Sequence, residues 1–152
     1  RAPPPRAVDP SVVPGYRVGN PFRVTEGPQG SWFAAEWLAI FYETEWRVDE
    51  ACDRMGIRLR GPRIEPSAPR ELVTEGVPLG AIQLPASGHP IVLFVEHQTT
   101  GGYPKIANVI AADLARLGGL RPRDTIRFEA ISFTAARALL HEQEEALDGL
   151  FD

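Results

Sequence analysis

"LGAIQLPASGHPIVLFVE", residues 79–96, decides the fold class. Two short apolar-rich runs flank Ala86-Ser87-Gly88-His89-Pro90, a cluster of turn residues. Runs of this length divided by glycine and proline predict a β-hairpin. The same grammar repeats outward. "FRVTEG" (22–27) predicts a strand stopped by Gly27-Pro28, and "EWRVDEACDRMGIRLRGP" (45–62) predicts one or two strands around Gly56, closed by Gly61-Pro62. "RPRDTIRFEAI" (121–131) predicts a turn and a further strand. Many short strands joined by Gly/Pro turns favour a mainly β chain, a barrel or sandwich, over a βαβ architecture.

Helical signals are fewer. "SFTAARALLHEQEEALDGL" (132–150) places Phe133, Ala136, Leu140 and Leu147 on one face, the pattern of an amphipathic helix. "SWFAAEWLAIFYETEW" (31–46) is ambiguous: Ser31 can cap a helix, and Phe33, Trp37 and Ile40 or Phe41 recur at helical spacing. In "ANVIAADLARLGGL" (107–120) a continuous helix puts Asp113 on the apolar face. A strand through Ile110, then a short helix capped by Asp113 and ended by Gly118-Gly119, gives that carboxylate a physical role and is preferred. "RIEPSAPREL" (63–72) is loop.

The chain of 152 residues is long enough for one domain with a real core. Sixteen Lys and Arg against 20 Asp and Glu give a net charge of −4, which offers no support for a nucleic-acid or anionic-membrane surface. A single cysteine, Cys52, excludes an internal disulfide and fits a reducing, cytoplasmic setting. No apolar run reaches bilayer-spanning length. Residues 1–20 are proline-rich without an apolar period and are expected to form an extended connector into a domain over 21–152. Arg1 in place of an initiator Met suggests a fragment or a processed piece, and entering a domain from a connector fits the second half of a larger chain, although a terminal tail has the same composition.

Standard motifs for phosphate loops, dinucleotide binding, zinc proteases and serine hydrolases are absent from the sequence. His89, His97 and His141 are scattered, so no metal site is expected and each suits a solvated or hydrogen-bonded role. Three clusters remain. Asp53-Arg54 precede Gly56, with Arg58 and Arg60 at strand spacing on one face. Glu75 precedes Gly76, and Gln83 interrupts an apolar strand, where it must face solvent or be held by specific hydrogen bonds. "EHQTTGGYPK" (96–105) is the third. Amides around Gly101-Gly102 can form a concave anion site, Thr99, Thr100 and Tyr103 add neutral donors, and Lys105 adds a positive charge. That set suits a carboxylate, carbamate or developing oxyanion.

"DRMGIRLRGP" (53–62), "TEGVPLGAIQLP" (74–85) and "QTTGGYPKIANVIAADL" (98–114), in that order, resemble the biotin-dependent carboxyltransferase / allophanate hydrolase subunit 2 family. That family includes the C subunit of 5-oxoprolinase, the carboxyltransferase region of urea amidolyase and a regulator that antagonises a kinase inhibitor. The resemblance implies a cyclophilin-like β-barrel with short helices, here the C-terminal half of such a protein. It also implies a partner of the B-type, similar to allophanate hydrolase subunit 1. For the 5-oxoprolinase branch it implies ATP-dependent opening of 5-oxo-L-proline to L-glutamate, the further partner being of the A-type. For the urea branch it implies carboxyl transfer from carboxybiotin to urea. The chain lacks a biotin-accepting "MKM", so biotin would come from another domain.

Pattern positions that carry over are Asp53, Arg54, Met55, Gly56, Glu75, Gly76, Gln83, Gln98, Thr99, Thr100, Gly101, Gly102, Tyr103, Pro104 and Lys105. Cys52 stands where the family pattern usually has serine, and His97 where it usually has arginine; if that arginine pairs with substrate or partner, anion affinity here would be weaker or pH-dependent. Taken as part of an enzyme complex, inactive alone, the chain would bind substrate through Arg54, Gln83, Gln98, Thr99, Thr100, Gly101 and Gly102. Lys105 would stabilise a carboxylate or oxyanion, with Glu75 or Tyr103 in proton transfer. A non-catalytic regulatory module binding a kinase-inhibitor-type partner is the alternative, and a purely turn-forming role for these glycines is the third.

Overall fold

A computed structural model of the chain describes residues 19–67 and 72–149. The connector expected over 1–20 lies outside the described residues except for its last two, as do residues 68–71 of the expected loop.

The strands are β1 (Phe22–Glu26), β2 (Trp46–Val48), β3 (Gly56–Arg60), β4 (Glu75–Gly76), β5 (Ala81–Gln83), β6 (Ile91–Leu93), β7 (Thr100–Gly101), β8 (Lys105–Val109), β9 (Thr125–Ile126) and β10 (Phe128–Ala130). Eight of them form one sheet in the order β10-β1-β8-β5-β6-β3-β2-β9. Its two terminal strands, β9 and β10, are separated in the chain only by Arg127, so the sheet curls back on itself as a nearly closed barrel. The β1–β10 pair is parallel and the other pairs of the sheet are antiparallel. The hairpin expected from 79–96 is β5–β6, with Ile82 opposite Val92 and Gln83 opposite Ile91. The fold is therefore mainly β, a barrel with, among the described residues, three α-helices: α1 (Ala35–Glu43), α2 (Leu114–Leu117) and α3 (Phe133–Asp148).

The interior is apolar and close-packed. Val24, Phe41, Trp46, Leu59, Ile82, Val92 and Ile106 are buried in one cluster, and burying a side chain of this size contributes about 1.5–3 kcal/mol. Phe41 of α1 stacks on Phe128 with ring centroids 4.8 Å apart, and the buried Trp46 indole donates to the Phe41 carbonyl at 2.9 Å. Helix α1 is thereby fixed to β10 at one end of the sheet and to β2 near the other.

Three local expectations are corrected. Ser31 does not cap α1: it sits in a 3-10 turn, Gly30–Trp32, and the helix starts after Ala34. Tertiary bonds hold the chain back from helix at this point, since Gly27 N donates to Ile106 O (2.9 Å) and Gln29 N to Lys105 O (3.2 Å). Asp113 stands at the N-cap position of α2 but makes no side-chain cap bond. Its carboxylate is fully buried and accepts from Arg23 instead, through the backbone N (2.9 Å), Nε (3.1 Å) and a terminal nitrogen (2.6 Å). Arg116 adds an ion pair at 3.2 Å. On α3 the expected apolar face is only partly used: Ala136 and Leu140 turn inward, whereas Phe133 and Leu147 are exposed. Ser132 caps this helix, accepting from Ala135 N at 3.1 Å.

Candidate functional site

Strands β5 and β8 pair antiparallel, and their register shifts between Ile82 and Gln83. The shift places Gln83 opposite Lys105, at the end of both strands, with Ile82 still opposite Ala107. Bulges of this kind re-aim side chains, and they recur beside active sites. Here two polar residues are buried together: Gln83 is 1% and Lys105 2% exposed.

A burial this deep demands partners for the ammonium. Lys105 Nζ donates to Glu75 Oε1, whose carboxylate is partly exposed at 40%. Gln29, also buried, completes a triangle. Its Nε2 donates to Glu75 Oε1 at 2.7 Å, while its Oε1 accepts from Lys105 N at 3.0 Å. The hydrogen bonds from Lys105 and then Gln29 hold the Glu75 carboxyl below the ordinary carboxylate range, so it stands as an ionised acceptor.

Glu75 belongs to a separate two-stranded ribbon, β4–β7, in which Glu75 pairs with Gly101 and Gly76 with Thr100. Val77 N also donates to Thr99 O at 3.0 Å. The ribbon lies over the buried pair, Glu75 reaching Lys105 and Gly101 passing against Gln83. A Cβ built at Gly101 would stand 2.7 Å from Gln83 Nε2, so a larger residue there would have to displace the Gln83 amide. Neither Gly101 nor Gly102 has a positive φ. An alternating right- and left-handed amide nest is therefore not formed at these two glycines.

The structure thus brings together Glu75, Gln83, Gln98, Gly101 and Lys105, with Gln98 Nε2 donating to Gln83 Oε1 at 3.4 Å. Thr99, Thr100, Gly102 and Tyr103 lie at the surface of the same loop. Arg54 is set apart from the buried cluster: it is exposed and pairs with Glu96 at 2.9 Å. Asp53 shapes its turn by accepting from Met55 N (2.9 Å) and Gly56 N (3.0 Å). Arg58 and Arg60 do share the exposed face of β3, and Arg60 is ion-paired with Asp49. His97, just before the loop, bonds through Nδ1 to the Gln98 carbonyl at 2.6 Å. Because a carbonyl only accepts, Nδ1 is the donor in this bond. Gln29 is not signalled by the sequence: a glutamine in a Gly-Pro turn carries no motif, and its role arises from pairing with a strand 76 residues away. Among the described residues no group of three or more His, Cys, Asp or Glu could hold a metal ion, and no helix is long and apolar enough to cross a membrane.

Fold and geometry together describe a barrel domain with a candidate small-molecule site at one end, its buried donors suited to a carbonyl or carboxylate oxygen. The chain belongs to the carboxyltransferase domain family, subdomains A and B, whose family model matches residues 1–130. It is 44% identical over 108 residues to the C subunit of 5-oxoprolinase from Haemophilus influenzae, covering 71% of this chain and 35% of that protein. It is 34% identical over 132 residues to the corresponding protein of Escherichia coli, covering 87% of this chain and 43% of that protein. The chain therefore spans less than half the length of either relative. The crystal structure of the K. lactis urea amidolyase superposes with a TM-score of 0.78 at 29% identity, over 84% of this chain and 8% of that one.

Proposed function

We propose that the chain is the carboxyltransferase-type domain of a 5-oxoprolinase-like assembly, which opens the ring of 5-oxo-L-proline to L-glutamate in an ATP-dependent reaction. The observation that carries this reading is the triangle of Glu75 and Gln29 around the buried Lys105, set beside Gln83 at the "QTTGG" ribbon. The 44% identity to the C subunit of a 5-oxoprolinase supports the substrate class.

In this reading Lys105 Nζ offers a fixed positive charge to a carboxylate or to the oxyanion that develops on an attacked carbonyl. Glu75 balances that charge while the site is closed and orients the amine. Its lowered pKa makes it a weaker base than an ordinary carboxylate, so positioning describes it better than proton abstraction. Tyr103, half-exposed at the rim, is the better placed of the two to exchange protons with solvent or with a second chain. ATP would be handled by the assembled complex, with B-type and A-type partners in the cytoplasm.

The likeness to urea amidolyase favours a second reading, carboxyl transfer to urea. The donors present fit it as well, since urea, the ureido group of biotin and a lactam all offer a carbonyl oxygen. Biotin would supply the carboxyl group from another domain. Expressing the complete protein with its partner subunits separates the two. Glutamate release dependent on ATP and 5-oxo-L-proline supports the first reading. Consumption of carboxyl groups dependent on urea supports the second, and neither reading survives if the assembled complex shows no turnover of either.

A further inference from the structure

Gln83 is satisfied at one end only. Its Oε1 accepts from Gln98 Nε2, whereas its own Nε2 is buried without a hydrogen-bond partner. Gln98 presents its amide nitrogen to the Gln83 oxygen at 3.4 Å. The Gln83 amide nitrogen accordingly turns away, toward Gly101.

A donor left unmet in the interior destabilises the fold. A methionine of similar volume would fill the same space without that penalty. Satisfying Gln98 does not require Gln83 either, because Gln98 is exposed and water can accept from it. What covers the unmet nitrogen is not a packed core element but Gly101, in a ribbon with two residues in each strand. The opposite strand of that ribbon holds Glu75, the counter-ion of Lys105. Lifting the ribbon would uncover the Gln83 amide and the Lys105 amine together, side by side at the end of β5 and β8. Two adjacent donors with no second acceptor between them match an oxygen with two lone pairs.

We propose that Gln83 is the specificity-determining donor for the carbonyl oxygen of a small amide or ureide, uncovered when the β4–β7 ribbon lifts, and that Gln98 is the positioning residue that keeps its nitrogen turned to the substrate. This rests on Lys105 being part of the substrate site, as proposed above. The strain of the unmet donor is relieved when substrate binds, which ties stability to function at this position.

The test uses the complete protein with its partner subunits, with 5-oxo-L-proline and urea as alternative probes. Gln83→Met, Gln98→Ala and Lys105→Met are compared for KM, kcat and melting temperature of the free protein. Gln83→Met should raise KM about ten-fold or more while its melting temperature stays equal or rises. Gln98→Ala should move KM in the same direction by less. Whichever probe is turned over identifies the source of the carbonyl. The proposal is overturned if Gln83→Met keeps KM within about two-fold of wild type, or if its activity falls only in step with a lower melting temperature. Failure of the underlying reading shows elsewhere: Lys105→Met would then retain activity, whatever Gln83→Met does.

Discussion

Replacing Asp113 by alanine tests how the site strand is anchored. The carboxylate is fully buried, accepts three hydrogen bonds from Arg23 and pairs with Arg116. Removing one member of a buried ion pair costs about 3–5 kcal/mol when the other is left buried and uncompensated. Here the compensation is partial. Arg23 is 31% exposed and regains water. Arg116 keeps the carbonyls of Asn20 (2.6 Å) and Pro21 (3.1 Å), and it lies 4.4 Å from the Phe22 ring centre. A loss of about 2–3 kcal/mol follows, or roughly 5–10 °C in melting temperature for a domain of this size. Burial alone would push the Asp113 pKa up, but the bonds and charges of Arg23 and then Arg116 outweigh it and leave the group below its ordinary value. A carboxyl with a depressed folded pKa stabilises the fold above its unfolded value, about 3.9. That stability is lost as pH falls through the folded pKa. Urea unfolding of wild type, Asp113→Ala and Asp113→Asn across acid pH should therefore show a gap that narrows below about pH 4. A gap under about 0.5 kcal/mol at neutral pH, or one independent of pH, refutes the reasoning.

Two further substitutions probe the frame of the site. Gly27→Ala would bring a Cβ to 2.3 Å from Lys105 O and 2.7 Å from Ala107 N, both backbone atoms that cannot swing aside. It should destabilise by about 1–3 kcal/mol and weaken activity through a displaced Lys105, read by unfolding and turnover on the same preparation. Ser132→Ala removes the cap of α3 and should cost about 1 kcal/mol. Because no residue of this helix is fully buried, the loss should appear as faster amide exchange confined to its first turn.

The parts legible in the sequence are those governed by local pattern. The β5–β6 hairpin, β1, the strands around Gly56 and helix α3 follow from turn residues and periodicity acting over a few positions. The ribbon β4–β7 is illegible there because two-residue strands carry no period and form only by pairing across 25 residues of chain. The site residues split in the same way. Lys105, Gln83 and Glu75 stand out as polar residues in unusual settings, and the fold gathers them. Gln29 is hidden because its partners come from distant strands. Asp113 reads as a cap because a cap and a long-range arginine clamp make the same demand on an aspartate, and only the position of Arg23, 90 residues away, decides between them. Arg54 lies in a pattern-matching stretch, yet its guanidinium is held by Glu96 at the surface.

The central claim is that the buried Lys105 is the charged element of a substrate site. Its most direct test is the turnover of Lys105→Met in the assembled complex, with assembly and melting temperature measured alongside. Loss of a preorganised charge facing the reacting oxygen should lower turnover by roughly a hundred-fold or more while the complex still forms. An assembled Lys105→Met complex with turnover within about two-fold of wild type would contradict the account.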